Sequence, residues 1–380
     1  MPTVSEALRV HGPAVMDSLS LTQQKVISAI TRCRTGALGG VHYRCDGCGR
    51  DHWVGRSCGN RHCTTCGHEK TQLWIEKQSA RLMPVHHFLV TFTVPRELGL
   101  VLRAGNDDTR RAGYRCLFDA SSQSIRDVGA ATKSLTDCQL GFFGVLHTWG
   151  RDPQTFHPHI HYVVPGGGVK LDSSGRAQCW QSTPKNFLFH HGTLMRVYKA
   201  KLADELRDCG LYDHVPQDAW RKDAVGDIQS VGDGTATLKY LAPYVHRVAI
   251  SDKRIVSVDE ASVTYTIRPT KTKRTTVKTV SGETFVQGFA QHTLPSGFMK
   301  IRHYGWMSAN SKTSVEEVKW LVWLFLGWTF WLASGHAPAE PSLTTPLRCT
   351  ECGDMMRVVE VTYEAMAVRN DHALAYFDSG

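Results

Sequence analysis

The sequence predicts a mixed fold in which helices pack on antiparallel strands, with a small cysteine-rich module near its start. Residues 87–94 (HFLVTFTV), 140–149 and 158–164 are rich in β-branched and aromatic residues, which indicates strands. The turn-forming residues RDPQT separate the last two strands, so we expect an antiparallel hairpin. Five of the twelve cysteines lie between positions 45 and 66, a cluster typical of a module folded by metal.

Helices are predicted where apolar residues recur at helical spacing. Two short amphipathic helices cover residues 3–32, and further helices are expected at residues 70–82, 107–134, 194–206 and 235–246. Between residues 33 and 67 the helical period disappears, and glycine and cysteine dominate. We therefore expect a small knuckle without a hydrophobic core of its own in that segment.

The charge of the chain favours a polyanionic partner. The 380 residues include 44 Lys and Arg against 35 Asp and Glu, which gives a net charge of +9. Hydrophobic residues make up 42% of the chain, enough to form buried cores, so wholesale disorder is excluded.

The sequence predicts an intracellular protein that does not enter a membrane. The first residues carry charges early and lack the continuous apolar core of a signal peptide. The most apolar stretch, Leu321 to Ala333, has 13 residues, fewer than the roughly 20 that span a bilayer. Cysteines arranged as CxxC pairs are typical of intracellular metal binding. We therefore expect a cytoplasmic location.

Three histidines alternate along the predicted strand HPHIHYVV. Because successive side chains of a strand point to opposite faces, we expect His157, His159 and His161 on one face and Ile160 on the other. Imidazoles at i and i+2 can converge on one divalent cation. His147, on the neighbouring strand, is either a third ligand or a core residue that supports the ligands.

Two tyrosines lie four residues apart in the predicted helix LKYLAPYVHRVAIS. Tyr240 and Tyr244 therefore share a helix face, with Lys239 and Arg247 beside them. A tyrosine near a divalent cation can attack a phosphodiester, and Arg247 is placed to stabilise phosphate charge. The alternative is a packing stripe of two tyrosines. Pro243 removes one helical hydrogen bond, so the two hydroxyls need not lie equally near the metal.

Several strings resemble a known superfamily. HPHIHYVVPGGG resembles the His-hydrophobic-His motif of the HUH single-strand endonucleases, while HFLVTFTVP and YLAPY are similar to the strand before that motif and the tyrosine motif after it. Within the superfamily, SCGNRHCTTCG, GFFGVLHTWGRD, LKYLAPYVHRVAIS and LPSGFMKIRHYGW are similar to segments of IS91-like transposases. The resemblance runs over nearly the whole chain, which is identified as a member of this family.

The resemblance implies an α+β fold with an HUH-type antiparallel sheet and packed helices. It implies cleavage and rejoining of single-stranded DNA, at element ends and target, through a 5′-phosphotyrosine intermediate and by a rolling-circle-like route. His159 and His161 match the ligands of the catalytic Mg²⁺ or Mn²⁺, and Tyr240 and Tyr244 match the nucleophile pair. A homodimer is compatible with the sequence, which does not determine the oligomeric state.

On this basis we divide the chain into four parts. Residues 1–70 form a helical arm and a cysteine-rich zinc-binding module, and residues 71–255 form the HUH nuclease domain with its tyrosine helix. Residues 256–340 form a basic C-terminal region, and residues 341–380 form a CxxC knuckle and an acidic tail.

The N-terminal cysteines predict a four-thiolate Zn²⁺ site. Two CxxC pairs, separated by 14 residues, have the spacing of such a site. The predicted ligands are Cys45, Cys48, Cys63 and Cys66. Cys58 is a fifth thiol, which leaves open an exchanged ligand or a second ion. The pair Cys349 and Cys352 is half a site, which either borrows ligands from elsewhere or is a degenerate knuckle.

Basic residues beside these motifs are the expected DNA contacts. They are Arg56, Arg61, Lys239, Lys271, Lys273, Arg274 and Arg302. Two alternative functions remain. A plasmid or phage replication initiator of the same superfamily would nick and rejoin without moving an element. A non-catalytic, zinc-dependent DNA-binding regulator would leave the histidine strand and the paired tyrosines unexplained.

Overall fold

A five-stranded antiparallel sheet lies at the centre of the fold, accompanied by three smaller sheets of three strands each. A computed structural model describes residues 2–246, 249–267, 274–327 and 347–363. The side chains of residues 68, 69, 243, 244 and 246 are outside this description. Of the predicted site residues, Arg247, Lys271, Lys273 and the side chain of Tyr244 therefore lie outside the described part of the chain.

The regular elements are named here in chain order. The helices are α1 (Val4–Val15), α2 (Leu21–Thr31), α3 (Gly67–Ser79), α4 (Arg96–Ala104), α5 (Asp107–Ala130), α6 (His191–Asp208), α7 (Gln217–Arg221), α8 (Thr235–His246), α9 (Gly282–Ala290) and α10 (Val315–Leu326). The strands are β1 (Gly40–Cys45), β2 (Asp51–Gly55), β3 (His87–Thr93), β4 (Cys138–Gln139), β5 (Gly141–Trp149), β6 (Phe156–Pro165), β7 (Gly167–Leu171), β8 (Ala177–Ser182), β9 (Gly226–Ser230), β10 (Ile255–Val258), β11 (Ser262–Ile267), β12 (Thr276–Ser281), β13 (Ile301–Gly305) and β14 (Met356–Val361).

The central sheet has the order β13-β5-β6-β3-β9, and all its neighbouring strands are antiparallel. The predicted hairpin is confirmed, since β5 and β6 pair directly and lie in the middle of the sheet. Edge strand β13 comes from residues 301–305, in the segment assigned above to the basic C-terminal region. Residue 255 is therefore not a boundary of this sheet.

Helices cover both faces of the central sheet, which gives the α+β architecture that the sequence predicted. On β6, Ile160 and Tyr162 point into a core shared with α5 and α6, while Val163 points into a second core shared with α3 and α8. This alternation follows from the two-residue period of a strand. As a result α8, the helix that carries Tyr240, packs on the same face as the odd-numbered residues of β6.

The N-terminal helices are joined to a segment far along the chain. Both α1 and α2 begin with a capping box, in which Thr3 pairs with Glu6 and Ser20 with Gln23. Their apolar faces form a third core with α9 and the sheet β10-β11-β12. The two N-terminal helices therefore pack against residues 249–290, which lie in the chain between strands β9 and β13 of the central sheet.

The cysteine-rich segment contains a hairpin and is completed by the end of the described chain. Strands β1 and β2 form an antiparallel hairpin within the segment expected to be a small metal-folded knuckle. Strand β14 pairs antiparallel with the other edge of β1. The resulting sheet, β14-β1-β2, brings residues 356–361 beside residues 40–45.

The apolar stretch of residues 321–333 begins inside α10. Its residues from 328 onward lie outside the described part. Among the helices that the structure describes, none has the length and apolarity needed to cross a membrane.

Candidate metal centres and active site

Three imidazoles converge on one face of the β5–β6 hairpin. His147 lies directly opposite His159 in the strand pairing, and His161 follows two residues later on the same face. All three side chains are buried, and one nitrogen from each lies within 4.8 Å of those from the others. The hairpin register therefore brings His147 to the two histidines of the HxH motif.

Two hydrogen bonds hold the rings of the HxH motif. The Nδ1 atom of His159 lies 2.7 Å from the carbonyl oxygen of His157, which can only accept, so Nδ1 carries the proton. The Nδ1 atom of His161 lies 2.8 Å from the Thr91 hydroxyl on β3. With Nδ1 of His159 protonated, its Nε2 has a free lone pair, which is the arrangement found in metal-binding histidines.

The histidine cluster is uncharged at neutral pH. Burial lowers the pKa of His159 to about 3 and that of His161 to about 4. Burial also lowers the pKa of His147 well below its usual value, and the neighbouring His161 and His159 lower it further. Neutral imidazoles are the form that binds metal.

The donor set determines which ions fit. The group contains no carboxylate among the described residues. Imidazole nitrogen suits first-row transition ions, whereas Mg²⁺ prefers oxygen ligands and water. The three imidazoles therefore fit a divalent transition ion such as Mn²⁺ better than Mg²⁺.

His157, which the sequence offered as a possible additional ligand on the same strand face, does not join this cluster. It is exposed and stands outside the converging group. The physical reason is that pairing of β6 with β3 ends at His159, and the register with β5 shifts just beyond His147. His157 instead lines a separate surface pocket of about 240 Å³, together with Arg96, Lys199 and Trp220.

Tyr240 lies beside the histidine cluster. Its ring centroid is 6.1 Å from that of His161, in an edge-on arrangement, and 49% of the residue is exposed. Helix α8 is anchored on the same face of the sheet by Leu238 and Leu241, which are fully buried. This packing presents Tyr240 at the border between the cluster and solvent, with exposed Lys239 next to it. The helix continues to His246, so position 244 lies one turn further on.

The N-terminal cysteines do not form the single site that their spacing predicted. Cys63 and Cys66 cluster with Cys58 and with Cys33, a residue that the spacing did not single out. The Cys66 sulfur lies 3.6 Å from that of Cys33 and 3.7 Å from that of Cys58. Four thiolates around Zn²⁺ at about 2.3 Å stand about 3.8 Å apart, so this cluster fits a zinc ion.

Cys45 and Cys48 belong to a second cluster, with Cys349 and Cys352. The Cys45 sulfur lies 3.3 Å from that of Cys352, and the Cys48 sulfur lies 3.8 Å from that of Cys349. The assignment of Cys45 and Cys48 to one site with Cys63 and Cys66 is therefore wrong. The physical reason is that Cys63 and Cys66 pack with Cys33 and Cys58 at the core formed by α1 and α2, to which no residue of β1 belongs.

Three of the predicted DNA-binding arginines are engaged within the protein. Arg61 donates to the carbonyl of Phe298 at 2.6 Å, and burial lowers its pKa. Arg302 pairs with Asp119 and stacks on an aromatic ring. Arg56 lies over the ring of Tyr363. Lys239 and Arg274 are exposed, as a phosphate contact requires. Whether these residues bind DNA stays a prediction.

Two functional candidates were missed by reasoning from the sequence. Cys33 stands alone, 25 residues before Cys58, so no CxxC spacing marks it. Thr91 is one of two threonines in the strand HFLVTFT, and its alignment with His161 follows from strand pairing. Because side chains alternate between the two faces of a strand, the position of Thr91 on β3 was the one sequence feature that could have placed it on the same face as the histidines.

Comparison with known proteins identifies transposase relatives and a zinc-binding domain that covers the N-terminal cysteines. Residues 141–314 match a family described as "Putative transposase", and residues 7–94 match the "Transposase zinc-binding domain". The chain is 31% identical over 336 residues to "Putative transposase y4qJ" of Sinorhizobium fredii, which covers 80% of each chain. It is 26% identical over 305 residues to "Transposase for insertion sequence element IS801" of Pseudomonas savastanoi pv. phaseolicola, covering 75% of this chain and 70% of the relative. No solved structure matches the chain significantly. The zinc-binding match supports Zn²⁺ as the ion of the cysteine module.

Proposed function

Because the chain belongs to the IS91-like transposases, we propose that it cleaves and rejoins single-stranded DNA at the ends of its element through a tyrosine nucleophile beside a divalent metal ion. Its function is that of a transposase and its partner is DNA. The proposed tyrosine chemistry is supported by the position of Tyr240 at the border of the cluster formed by His147, His159 and His161.

In this proposal the three histidines bind the metal ion. Neutral and buried, they present nitrogen lone pairs to one divalent cation, while the His157 carbonyl and the Thr91 hydroxyl keep the HxH rings oriented. When bound, the ion supplies polarisation of the scissile phosphate. Lys239 adds positive charge at the exposed side, where the DNA backbone must enter.

A tyrosine of α8 performs each nucleophilic step. Its phenol oxygen attacks the phosphorus, the bond from phosphorus to the 3′ oxygen breaks, and the phenol proton is lost as the leaving oxygen gains one. The products are a 5′-phosphotyrosine and a free 3′-hydroxyl. One phosphodiester replaces another, so a later 3′-hydroxyl can reverse the step without an external energy source. We propose Tyr244 as the nucleophile of the initial nick, with Arg247 as its phosphate partner, and Tyr240 as the nucleophile of the later strand transfer, in a rolling-circle-like sequence.

The proposal is tested by the polarity of a covalent adduct. A single-stranded oligonucleotide carrying an element end is labelled at its 3′ end or at its 5′ end and incubated with the protein and Mn²⁺. We expect the 3′ label to move into the protein band of a denaturing gel, because the protein joins the 5′ phosphate of the downstream fragment. The 5′ label should appear only in a shortened free fragment.

Matched tyrosine variants give the control. The double variant Tyr240→Phe, Tyr244→Phe should form no adduct. Tyr212→Phe removes a hydroxyl from a ring that is stacked on Trp220 and packed against the core on the other face of the central sheet, so this variant should behave as the unmodified protein. An adduct that persists in the double variant would remove the tyrosines from the chemistry. Absence of any adduct with the unmodified protein would favour the DNA-binding regulator.

A further inference from the structure

Two CxxC turns at opposite ends of the described chain have the same local structure. In each turn the first cysteine donates its N–H to a carbonyl five residues ahead: Cys45 to Arg50 at 2.9 Å and Cys349 to Asp354 at 2.8 Å. In each, the glycine after the second cysteine donates back to the first, with a positive φ of 70° at Gly49 and 81° at Gly353. The two turns are therefore local equivalents, each presenting a pair of sulfurs.

The two turns face each other closely. The sulfurs pair crosswise, with Cys45 near Cys352 and Cys48 near Cys349, and all four lie within 4.8 Å of one another. Gly47 packs so tightly on the opposite turn that a Cβ there would overlap the Asp354 carboxylate. These sulfur distances exceed the 2.05 Å of a disulfide and match the edge of a zinc–thiolate tetrahedron, about 3.8 Å.

The sheet that carries these turns has no hydrophobic core of its own. No residue of β1, β2 or β14 belongs to the three cores that the described residues form. Val358 and Val361 of β14 are 54% and 43% exposed. A three-stranded sheet without a buried face is marginally stable, so its order requires another source of free energy.

We propose that Cys45, Cys48, Cys349 and Cys352 bind a second Zn²⁺, separate from the ion of the Cys33 cluster, and that this ion ties residues 347–363 to the N-terminal module. Four thiolates make a closed structural site rather than a catalytic one. Binding free energy at such a site stabilises the fold directly, which supplies what the sheet lacks.

His52 supports this site without being a ligand. Its ring is buried, and its Nε2 lies 3.5 Å from the Cys349 sulfur. An N–H at that position donates to the thiolate and offsets part of its charge. The N–H of Cys48 lies 3.5 Å from the Cys45 sulfur and acts in the same way. Such donors are a regular part of thiolate metal sites.

Differential alkylation of the unmodified protein tests the proposal. Cys48, Cys352 and Cys179 are all exposed, but only the first two belong to the proposed site. After purification with zinc, N-ethylmaleimide should label Cys179 rapidly and leave Cys48 and Cys352 largely unlabelled. After treatment with a strong zinc chelator, all three should react. The proposal would be overturned if Cys48 and Cys352 were labelled as fast as Cys179 before chelation. It would also be overturned if Cys45 and Cys352 formed a disulfide that persists when the protein is purified with a reducing agent.

Zinc stoichiometry gives a second measurement. Elemental analysis should find two zinc ions per full-length molecule when His159→Ala, His161→Ala prevents the histidine cluster from holding a third. Cys349→Ser, Cys352→Ser should lower the content by one ion, and so should Cys33→Ser, Cys58→Ser, which removes half of the other cluster. A single zinc ion in this histidine variant, or two retained when Cys349 and Cys352 are also replaced in it, would contradict the proposal. Neither measurement depends on the histidine cluster, so failure of the proposed nuclease activity would leave both intact.

Discussion

Thr91→Val removes the hydrogen bond that orients His161 and leaves the ligands themselves unchanged. Valine has nearly the shape of threonine, so the strand and its packing are kept. The His161 ring is 8% exposed, and its Nδ1 loses its partner at 2.8 Å. Substituting a residue that supports a metal ligand costs about 10- to 100-fold in metal affinity, or about 1.4–2.7 kcal/mol. We therefore expect the Kd for Mn²⁺ to rise by that factor.

The matched control lies two residues further along the same strand. Thr93 donates its hydroxyl to the carbonyl of Val225 at 2.7 Å and contacts no ligand histidine through that bond. Thr93→Val makes the same chemical change, so both variants should lose a similar free energy of unfolding, about 0.5–1.5 kcal/mol for one hydrogen bond. Only Thr91→Val should weaken Mn²⁺ binding.

Titration of free Mn²⁺ by electron paramagnetic resonance measures the Kd, and the nicking rate against Mn²⁺ concentration gives an independent value. Saturating Mn²⁺ should restore most of the nicking rate of Thr91→Val, because the nucleophile is intact. Equal Mn²⁺ affinity in both variants and the unmodified protein would refute the role assigned to Thr91.

Four further predictions follow from the same site. His159→Ala should abolish nicking while single-strand DNA affinity changes by less than about threefold, since affinity depends mainly on dispersed basic contacts; a wild-type nicking rate in gel assays would contradict the metal assignment. Mn²⁺ should support nicking at lower concentration than Mg²⁺, because the described cluster offers imidazoles alone; the reverse order would count against the donor set. Tyr244→Phe should lose most of the initial nicking, and Tyr240→Phe should lose the later strand transfer. If both single variants transpose normally in a mating-out assay, one tyrosine suffices. Burial lowers the pKa of His161 to about 4, so below about pH 6.5 this histidine is protonated in the unfolded chain but not in the folded, metal-free chain. The free energy of unfolding should therefore fall between pH 6.5 and 4, by up to about 1.4 kcal/mol per pH unit for each such histidine. Urea titrations in which His161→Gln shows the same pH dependence of the free energy of unfolding as the unmodified protein would disprove this.

Local patterns predicted the parts of the site that lie on single elements. The alternation of His159 and His161 with Ile160 requires only that the segment be a strand, and the spacing of Tyr240 and Tyr244 requires only a helix. The short turn RDPQT also restricted the pairing of the two strands to a hairpin. His147 then had to fall near His159, as the register shows.

Tertiary pairing could not be predicted in the same way. The chain has three CxxCG segments, at residues 45–49, 63–67 and 349–353, and their spacing is identical. Nothing local indicates that the first pairs with the third. Strand β13 is short, and IRHYG shows no strong alternation. Arg302 resembles a surface residue in sequence, and its pairing with Asp119 depends on where β13 joins the sheet.

The separation of the two CxxC turns makes the order of synthesis important for the cysteine module. Cys48 precedes Cys349 by 301 residues. At about 5–20 residues per second, ribosomes need roughly 15–60 s to cover that interval. During this time Cys45 and Cys48 are thiols without their final partners, while Cys63 and Cys66 are already present. Cys33 and Cys58 are present as well, so the cluster of Cys33, Cys58, Cys63 and Cys66 has all its thiols available to zinc early in synthesis. The second cluster is completed only when residues 349–352 have been made, so a chain cut short before residue 349 contains only two of its four thiols.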